Sequence, residues 1–339
     1  MTTSILRFCA GTFAGAVTLG ALAACKQNHD WAPTGGDSVR ATAMGGATFD
    51  PDKRYAVIVA IAHYPQPAYE LPSPAQDAAA LRSVLIDRFG YDPSKVHTLL
   101  DAHATRDSVV WAFRRFLSQA GPQGSAAFFF VGHGLPLDSN YSVQDPEPTG
   151  HDQALYVWGQ DGHGAIILDD ELNLLIRELP TPRTLIVLDG CYSGSGVTFT
   201  LLSRRQGTDV GPKARVMSVD FISKGNPADF PNAFLSDGGS VVPNAAMDMA
   251  FISATDDRGR AYSMDRWPTN TQARSIFNYF FVRALGTSPG SASFDQVTEL
   301  VKQAALADPL CKAQHYCQTA LVHGKGGGRS LADILGPPL

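Results

Sequence analysis

Charge is scarce in this 339-residue chain: Asp, Glu, Lys and Arg make up 17% of it and the formal net charge is only -5. That balance gives no reason to expect nucleic-acid binding. Cysteine is scarce too, at five residues. The one apolar stretch near the N-terminus, Phe8 to Ala24, is short and rich in Gly and Ala, which argues against a spanning anchor. No Walker loop, dinucleotide fingerprint or zinc-peptidase His-Glu motif is present, and Gly324 to Gly328 lacks the strand and helix context of a phosphate loop. No internal repeat is evident. What remains is 44% hydrophobic residues, enough to bury a full core.

The leader carries Arg7, the small-residue stretch and then Leu22-Ala23-Ala24-Cys25. This reads as a lipoprotein signal over residues 1–24, with Cys25 lipidated and left as the new N-terminus. An ordinary secretory signal with Cys25 incidental is the alternative. Lys26 follows Cys25, so no aspartate argues for inner-membrane retention, and a lipid-anchored position in a bacterial envelope, at the outer membrane or in the periplasm, is expected. Cys9 leaves with the signal, so three cysteines remain for the folded part. Cys311 and Cys317 are expected to form a local disulfide in an oxidising compartment, leaving Cys191 as a free thiol. Zinc held by Cys311, His315 and Cys317 is the rival, weakened by the lack of a fourth ligand at convincing spacing. Two unpaired buried cysteines are the third reading.

Residues 25–52 lack an apolar period and read as a flexible tether. From Lys53 the pattern alternates: strands at Tyr55 to Ala62, Val96 to Leu100 and Ala126 to Val131, helices at Ala75 to Phe89 and Arg106 to Gln119. This order predicts an α/β domain with a mostly parallel central sheet flanked by helices. A small β element is expected at Ala165 to Leu168 and a helix at Asp170 to Leu179. Thr184 to Leu188 supplies a further strand and Met249 to Ser253 another. Helices follow at Gln272 to Leu285 and Phe294 to Ala307, and a last strand at Gln318 to Val322. The expected organisation is a domain over 53–325, made of a first part (53–200), a linker (201–248) and a second part (249–325), followed by a C-terminal tail over 326–339.

The chemistry collects at two strand ends. The run Arg183-Thr-Leu-Ile-Val-Leu-Asp-Gly-Cys191-Tyr-Ser-Gly194 drives a buried strand into a thiol, and Ala126-Ala-Phe-Phe-Phe-Val131 leads into Gly132-His133-Gly134. In open α/β sheets the working groups gather at the carboxyl ends of the strands. A thiol becomes a strong nucleophile only as thiolate, and a histidine at the same edge can take its proton. The pairing points to a cysteine hydrolase.

Through Gly132-His133-Gly134 and Asp189-Gly190-Cys191-Tyr192-Ser193-Gly194, the chain resembles the caspase-like cysteine peptidases, peptidase family C14, and within them the bacterial metacaspase or orthocaspase type. The opening strand Tyr55-Ala-Val-Ile-Val-Ala-Ile61, the segment Leu71-Pro-Ser-Pro-Ala-Gln-Asp77, and Phe251-Ile-Ser-Ala254 followed by Ser275-Ile-Phe277 extend the likeness over roughly 53 to 325 in the right order. The resemblance implies the caspase-hemoglobinase fold and a cysteine endopeptidase with His133 as general base and Cys191 as nucleophile. Backbone N–H groups at Gly134 and Cys191 would form the oxyanion hole. It also implies an S1 pocket lined by Asp77 and Asp189, hence cleavage after Arg or Lys. Asp77 can also be read as a helix-start acid, and Asp189 as a strand-end cap.

Several positions depart from the family pattern. Val131 stands where metacaspases often have serine, and Tyr192 where histidine is common. Of the family's calcium cluster, Asp169 and Asp170 match a part and serve equally to open a helix. The later position falls near Thr198, a poor substitute for a carboxylate, so no cofactor and no resident metal is expected. Arg204, Arg205, Lys213 and Arg215 put basic residues in the linker, where self-processing over 201–225 is expected; a solvated basic loop is the bland reading. Partners would be protein or peptide substrates with a basic P1 and the membrane, through the lipid, with no nucleic acid; by resemblance the protein is a monomer. The alternative function is a catalytically weak or inactive caspase-like binding or scaffold module. His63, His151 and His163 belong to no paired motif.

Overall fold

The computed structural model describes residues 48–136, 153–159, 166–190, 213–214, 249–255, 261–269, 271–309, 318–323 and 325–339. Its first strand, β1 (Arg54–Ala60), ends in five consecutive buried residues. A run apolar on both faces is the mark of a strand with helices on either side. The other strands of the same sheet are β2 (Val96–Leu100), β3 (Ser125–Val131), β7 (Thr184–Asp189), β9 (Ala250–Ser253) and β12 (Leu321–His323), in the order β12-β9-β7-β3-β1-β2. All neighbours run parallel except β12, which pairs antiparallel with β9. The expected mostly parallel sheet is thus observed.

Alternation along the strands divides the core in two. On one face, Val57, Val59, Phe128, Phe130, Ile186 and Leu188 pack with Val109 and Phe113 and with Leu172, Leu175 and Ile176. These come from α2 (Arg106–Trp111), its continuation through Phe116, and α3 (Asp169–Arg177). On the other face, Ala56, Ile58, Phe129, Val131 and Val187 meet Ala78 and Leu81 of α1 (Pro74–Ser83), Phe277 and Phe281 of α4 (Ile276–Thr287), and Phe294, Val297 and Val301 of α5 (Phe294–Ala307). Each fully enclosed aliphatic or aromatic side chain contributes about 1.5–3 kcal/mol relative to exposure. Helix α5 starts where its sequence says it should, with Ser293 and Gln296 forming a reciprocal capping box.

Two small antiparallel sheets sit beside the main one. The first joins β4 (Gly134–Pro136), β5 (Gln153–Tyr156) and β6 (Ile166–Leu168). The second joins β11 (Arg274–Ser275), β10 (Tyr262–Met264) and β8 (Lys213–Ala214).

Several boundaries differ from expectation, most of all in the second half of the chain. The helix expected from Gln272 begins at Ile276, because Arg274 and Ser275 pair with β10 and the Ser275 side chain caps the helix at Asn278. The last strand lies at Leu321–His323, a few residues late. Residues 326–339, expected as a tail, belong to the packed domain. Leu331, Ile334 and Leu335, on and just after the short helix α6 (Leu331–Ile334), are fully buried in the α1–α4–α5 core. The Gly326 amide donates to the Met249 carbonyl, and a Cβ at Gly326 would meet Met249 backbone at 2.3 Å, so only glycine permits this approach. The Leu339 amide donates to the Arg88 carbonyl at 2.7 Å.

Candidate active site

Strand β3 delivers His133 to the carboxyl edge of the sheet, 3% exposed. Its backbone N–H donates to the Tyr64 hydroxyl at 2.9 Å, and that hydroxyl donates to the Tyr156 carbonyl at 3.3 Å. The Tyr64 ring lies 5.0 Å from the imidazole and stacks on Tyr156 at 5.1 Å. A Cβ at position 132 would lie 2.8 Å from the Tyr64 hydroxyl, so glycine at 132 is what lets this tyrosine reach the histidine backbone. Burial, with Tyr69 adding to it, pushes the Tyr156 phenol up to about 12, so this wall of the site carries no charge.

The imidazole is oriented by a backbone group. His133 Nε2 lies 2.8 Å from the Tyr69 carbonyl oxygen. A carbonyl can only accept, so Nε2 carries the hydrogen and, in the neutral ring, Nδ1 is the basic atom. Tyr69 lies in the turn between β1 and α1, just before the segment that carries Asp77.

Strand β7 ends beside this turn. Val131 pairs with Asp189, and the Gly132 amide donates to the Asp189 carbonyl at 3.3 Å. A Cβ on Gly190 would stand 3.1 Å from the Gly132 carbonyl and 3.3 Å from the Gly134 nitrogen. The two glycines therefore permit close contact between the His133 turn and the residue that precedes Cys191. Cys191 itself lies outside the described residues, as do Cys25, Cys311, Cys317, His315, Tyr192 and Thr198.

Asp189 and Asp77 are both fully buried. Asp189 alternates with Val187 and lies beside Val131, so it belongs to the sheet face that α1 covers, and α1 carries Asp77. Val131 offers Asp189 an apolar neighbour where a serine was the family expectation. Asp77 is engaged from within the protein: Arg274 Nε donates to its Oδ1 at 2.9 Å, and the Ser275 amide donates to both oxygens at 3.2 and 3.0 Å. Close by, the Ser73 and Ser263 hydroxyls share a hydrogen bond of 2.6 Å, joining the start of α1 to β10. Tyr64, the Tyr69 carbonyl, Ser263 and Arg274 belong to no motif of the sequence. One is a backbone atom and the rest act through folded contacts far apart in sequence.

Asp169 and Asp170 fall in the first turn of α3. Among the described residues no group of three or more His, Cys, Asp or Glu could hold a metal ion, and no helix is long and apolar enough to cross a membrane. His63 is exposed and faces Glu70 at 3.6 Å; His151 and His163 lie outside the described residues.

The profile of the caspase domain, Peptidase_C14, matches residues 53–321, the stretch that holds both strand ends and both acids. The chain belongs to the caspase-domain family. Among curated relatives it is 28% identical over 152 residues to metacaspase-1 of Schizosaccharomyces pombe, covering 43% of this chain and 35% of that one. It is 24% identical over 295 residues to metacaspase-3 of Arabidopsis thaliana, covering 85% of this chain and 71% of the relative. With metacaspase-1 of Scheffersomyces stipitis the match covers 44% of the relative, so the chain spans less than half the length of the fungal metacaspases it matches. The caspase-domain fold also has a solved counterpart in protein GSU0716 from Geobacter sulfurreducens, with a TM-score of 0.55, 18% identity, and 80% of this chain and 94% of that one covered. Within this family frame, β3 and β7 are the strands whose ends meet at the His133 turn.

Proposed function

We propose that the protein is a cysteine endopeptidase that cleaves after Arg or Lys, with Cys191 as nucleophile and His133 as base. The observation that carries this reading is the fixed imidazole: Nε2 is held by the Tyr69 carbonyl, and the turn lies against Gly190, the covalent neighbour of Cys191. Nδ1 takes the thiol proton, and the thiolate sulfur bonds to the scissile carbonyl carbon. The Gly134 and Cys191 amides stabilise the oxyanion, and His133 returns the proton to the departing amine. Water, activated by the same imidazole, then hydrolyses the thioester and restores the thiol. In this reading no metal or cofactor enters these steps, and calcium is disfavoured because the position near Thr198 has no carboxylate.

Basic P1 selection rests on Asp77 and Asp189, two buried acids assigned to one sheet face. Self-processing within 201–225 is part of the same proposal. It is supported by the backbone of Lys213–Ala214, which pairs antiparallel with β10, Lys213 opposite Ser263 and Ala214 opposite Tyr262. A linker strand laid on a strand edge is how an extended peptide docks by β-addition. Ser263 is in turn hydrogen-bonded to Ser73, four residues after Tyr69, whose carbonyl holds His133. The remaining proposals are lipidation at Cys25, a bacterial envelope position at the outer membrane or periplasm, a Cys311–Cys317 disulfide, protein substrates and a monomeric state.

One observation favours the second reading, a weakly active or inactive binding module: Asp77 already has an internal cation in Arg274. The two readings separate on cleavage of matched fluorogenic peptides ending in Arg, Lys or Asp by the chain from residue 26, with and without calcium, beside Cys191→Ala. Cysteine-dependent turnover after Arg or Lys supports the peptidase. Turnover after Asp overturns the pocket, and silence throughout favours the binding module.

A further inference from the structure

The side chain that lies against the buried Asp77 carboxylate belongs to the protein. Arg274 is held on several sides: its backbone pairs with Met264 of β10, the next amide donates to Asp77, and the next hydroxyl caps α4. Its guanidinium reaches Asp77 Oδ1 through Nε at 2.9 Å and lies 5.7 Å from the centre of the Tyr279 ring. The Arg274 side chain is only 15% exposed and that of Asp77 0%. An ion pair so enclosed is shielded from solvent and salt far better than one at the surface. Two acids alone would present two negative charges to a P1 side chain; with Arg274 in place the charge of Asp77 is met from inside the protein.

We infer that Arg274 is a specificity-determining residue, which cancels the charge of Asp77 from inside the protein and leaves Asp189 to carry discrimination between charged and neutral P1 side chains. The inference rests on the basic-P1 reading above. Under it, Asp77 acts chiefly to hold the Ser275 amide at the start of α4, and the enzyme separates Arg from a neutral side chain of the same shape less sharply than a two-acid pocket would.

The test compares kcat/KM for two otherwise identical peptides, one ending in Arg and one in citrulline, which has nearly the same shape and no charge. It uses the wild type, Arg274→Gln, Arg274→Lys, Asp77→Asn and the double variant Asp77→Asn/Arg274→Gln. Arg274→Gln is expected to raise the Arg-to-citrulline ratio about tenfold, the scale of one charge-assisted hydrogen bond. Asp77→Asn lowers the ratio, the double variant restores the wild-type charge sum and the wild-type ratio, and Arg274→Lys leaves the ratio where it was. Should Arg274→Gln fail to fold, the step from Asp77→Asn to the double variant removes the same cation and reads the same factor. Equal ratios in all folded variants, in a wild type that prefers Arg, would overturn the role of Arg274 and leave the basic-P1 reading standing. A wild type that cleaves after Asp, or cleaves nothing, overturns that reading itself and the inference with it.

Discussion

Tyr64 reaches His133 twice, its hydroxyl accepting the histidine amide at 2.9 Å and its ring packing 5.0 Å from the imidazole. The same hydroxyl donates to the Tyr156 carbonyl, so one side chain fixes both edges of the turn. Tyr64→Phe keeps the ring and removes both hydrogen bonds. The expected cost is about 1–3 kcal/mol of stability, from a buried amide and carbonyl left without their partner. Turnover of an Arg-ending peptide should fall about tenfold, with KM little changed, because the substituted group positions the base and does not touch substrate. Thermal melts and steady-state kinetics on the same preparation check both parts.

Glu171, on α3, is buried and paired with Arg106. Burial outweighs the nearby Arg106 and Arg114 and raises its carboxyl from 4.5 to about 7. A folded-state value above the unfolded one means that the native state binds the proton more tightly. The stabilisation it brings is therefore full below about pH 4.5 and is lost as pH rises towards 7. The loss is on the order of 3 kcal/mol. Melting temperature against pH should decline over that window in the wild type and be flatter in Glu171→Gln, which cannot ionise. Parallel profiles for the two proteins would contradict the assignment.

Lys213 pairs with Ser263 in a two-residue strand. If the linker is processed there, intact-mass analysis of the purified protein should find fragments ending at Lys213 and beginning at Ala214. Cys191→Ala should remain one chain, and Lys213→Ala should lose that cut by at least about tenfold, the scale of a lost charge-assisted contact. Fragments ending only at Arg204, Arg205 or Arg215 would place the processing site elsewhere.

Leu335 is fully enclosed in the core that α1, α4 and α5 share. Leu335→Ala should cost about 2–5 kcal/mol. Deleting residues 331–339 should leave the remaining chain prone to aggregation. Chemical denaturation of the point variant distinguishes this from a loose tail, for which the midpoint would not move.

The central strands were legible because a run such as Ala126-Ala-Phe-Phe-Phe-Val131 is buried on both faces and shows it in composition. Helix α5 was legible because Ser293 and Gln296 announce its start. The beginning of α4 was not, since it depends on Asp77, 198 residues earlier, binding the Ser275 amide. Likewise His133 announced itself as a side chain, whereas its orienting partner is the carbonyl of Tyr69, and a backbone oxygen leaves no trace in residue type. The fate of residues 326–339 was missed for a related reason: Leu331, Ile334 and Leu335 are too few to make a period, and their burial depends on a surface made by three other helices.

The 201–248 connection lies in sequence between β7 and β9, yet those two strands are direct neighbours in the sheet, paired from Leu185 with Ala250 to Leu188 with Ser253. Cleaving that connection would thus break no rung between β7 and β9. The two pieces would part on a denaturing gel and travel together through a native column, because their association is the interior of one sheet and not a contact between two surfaces.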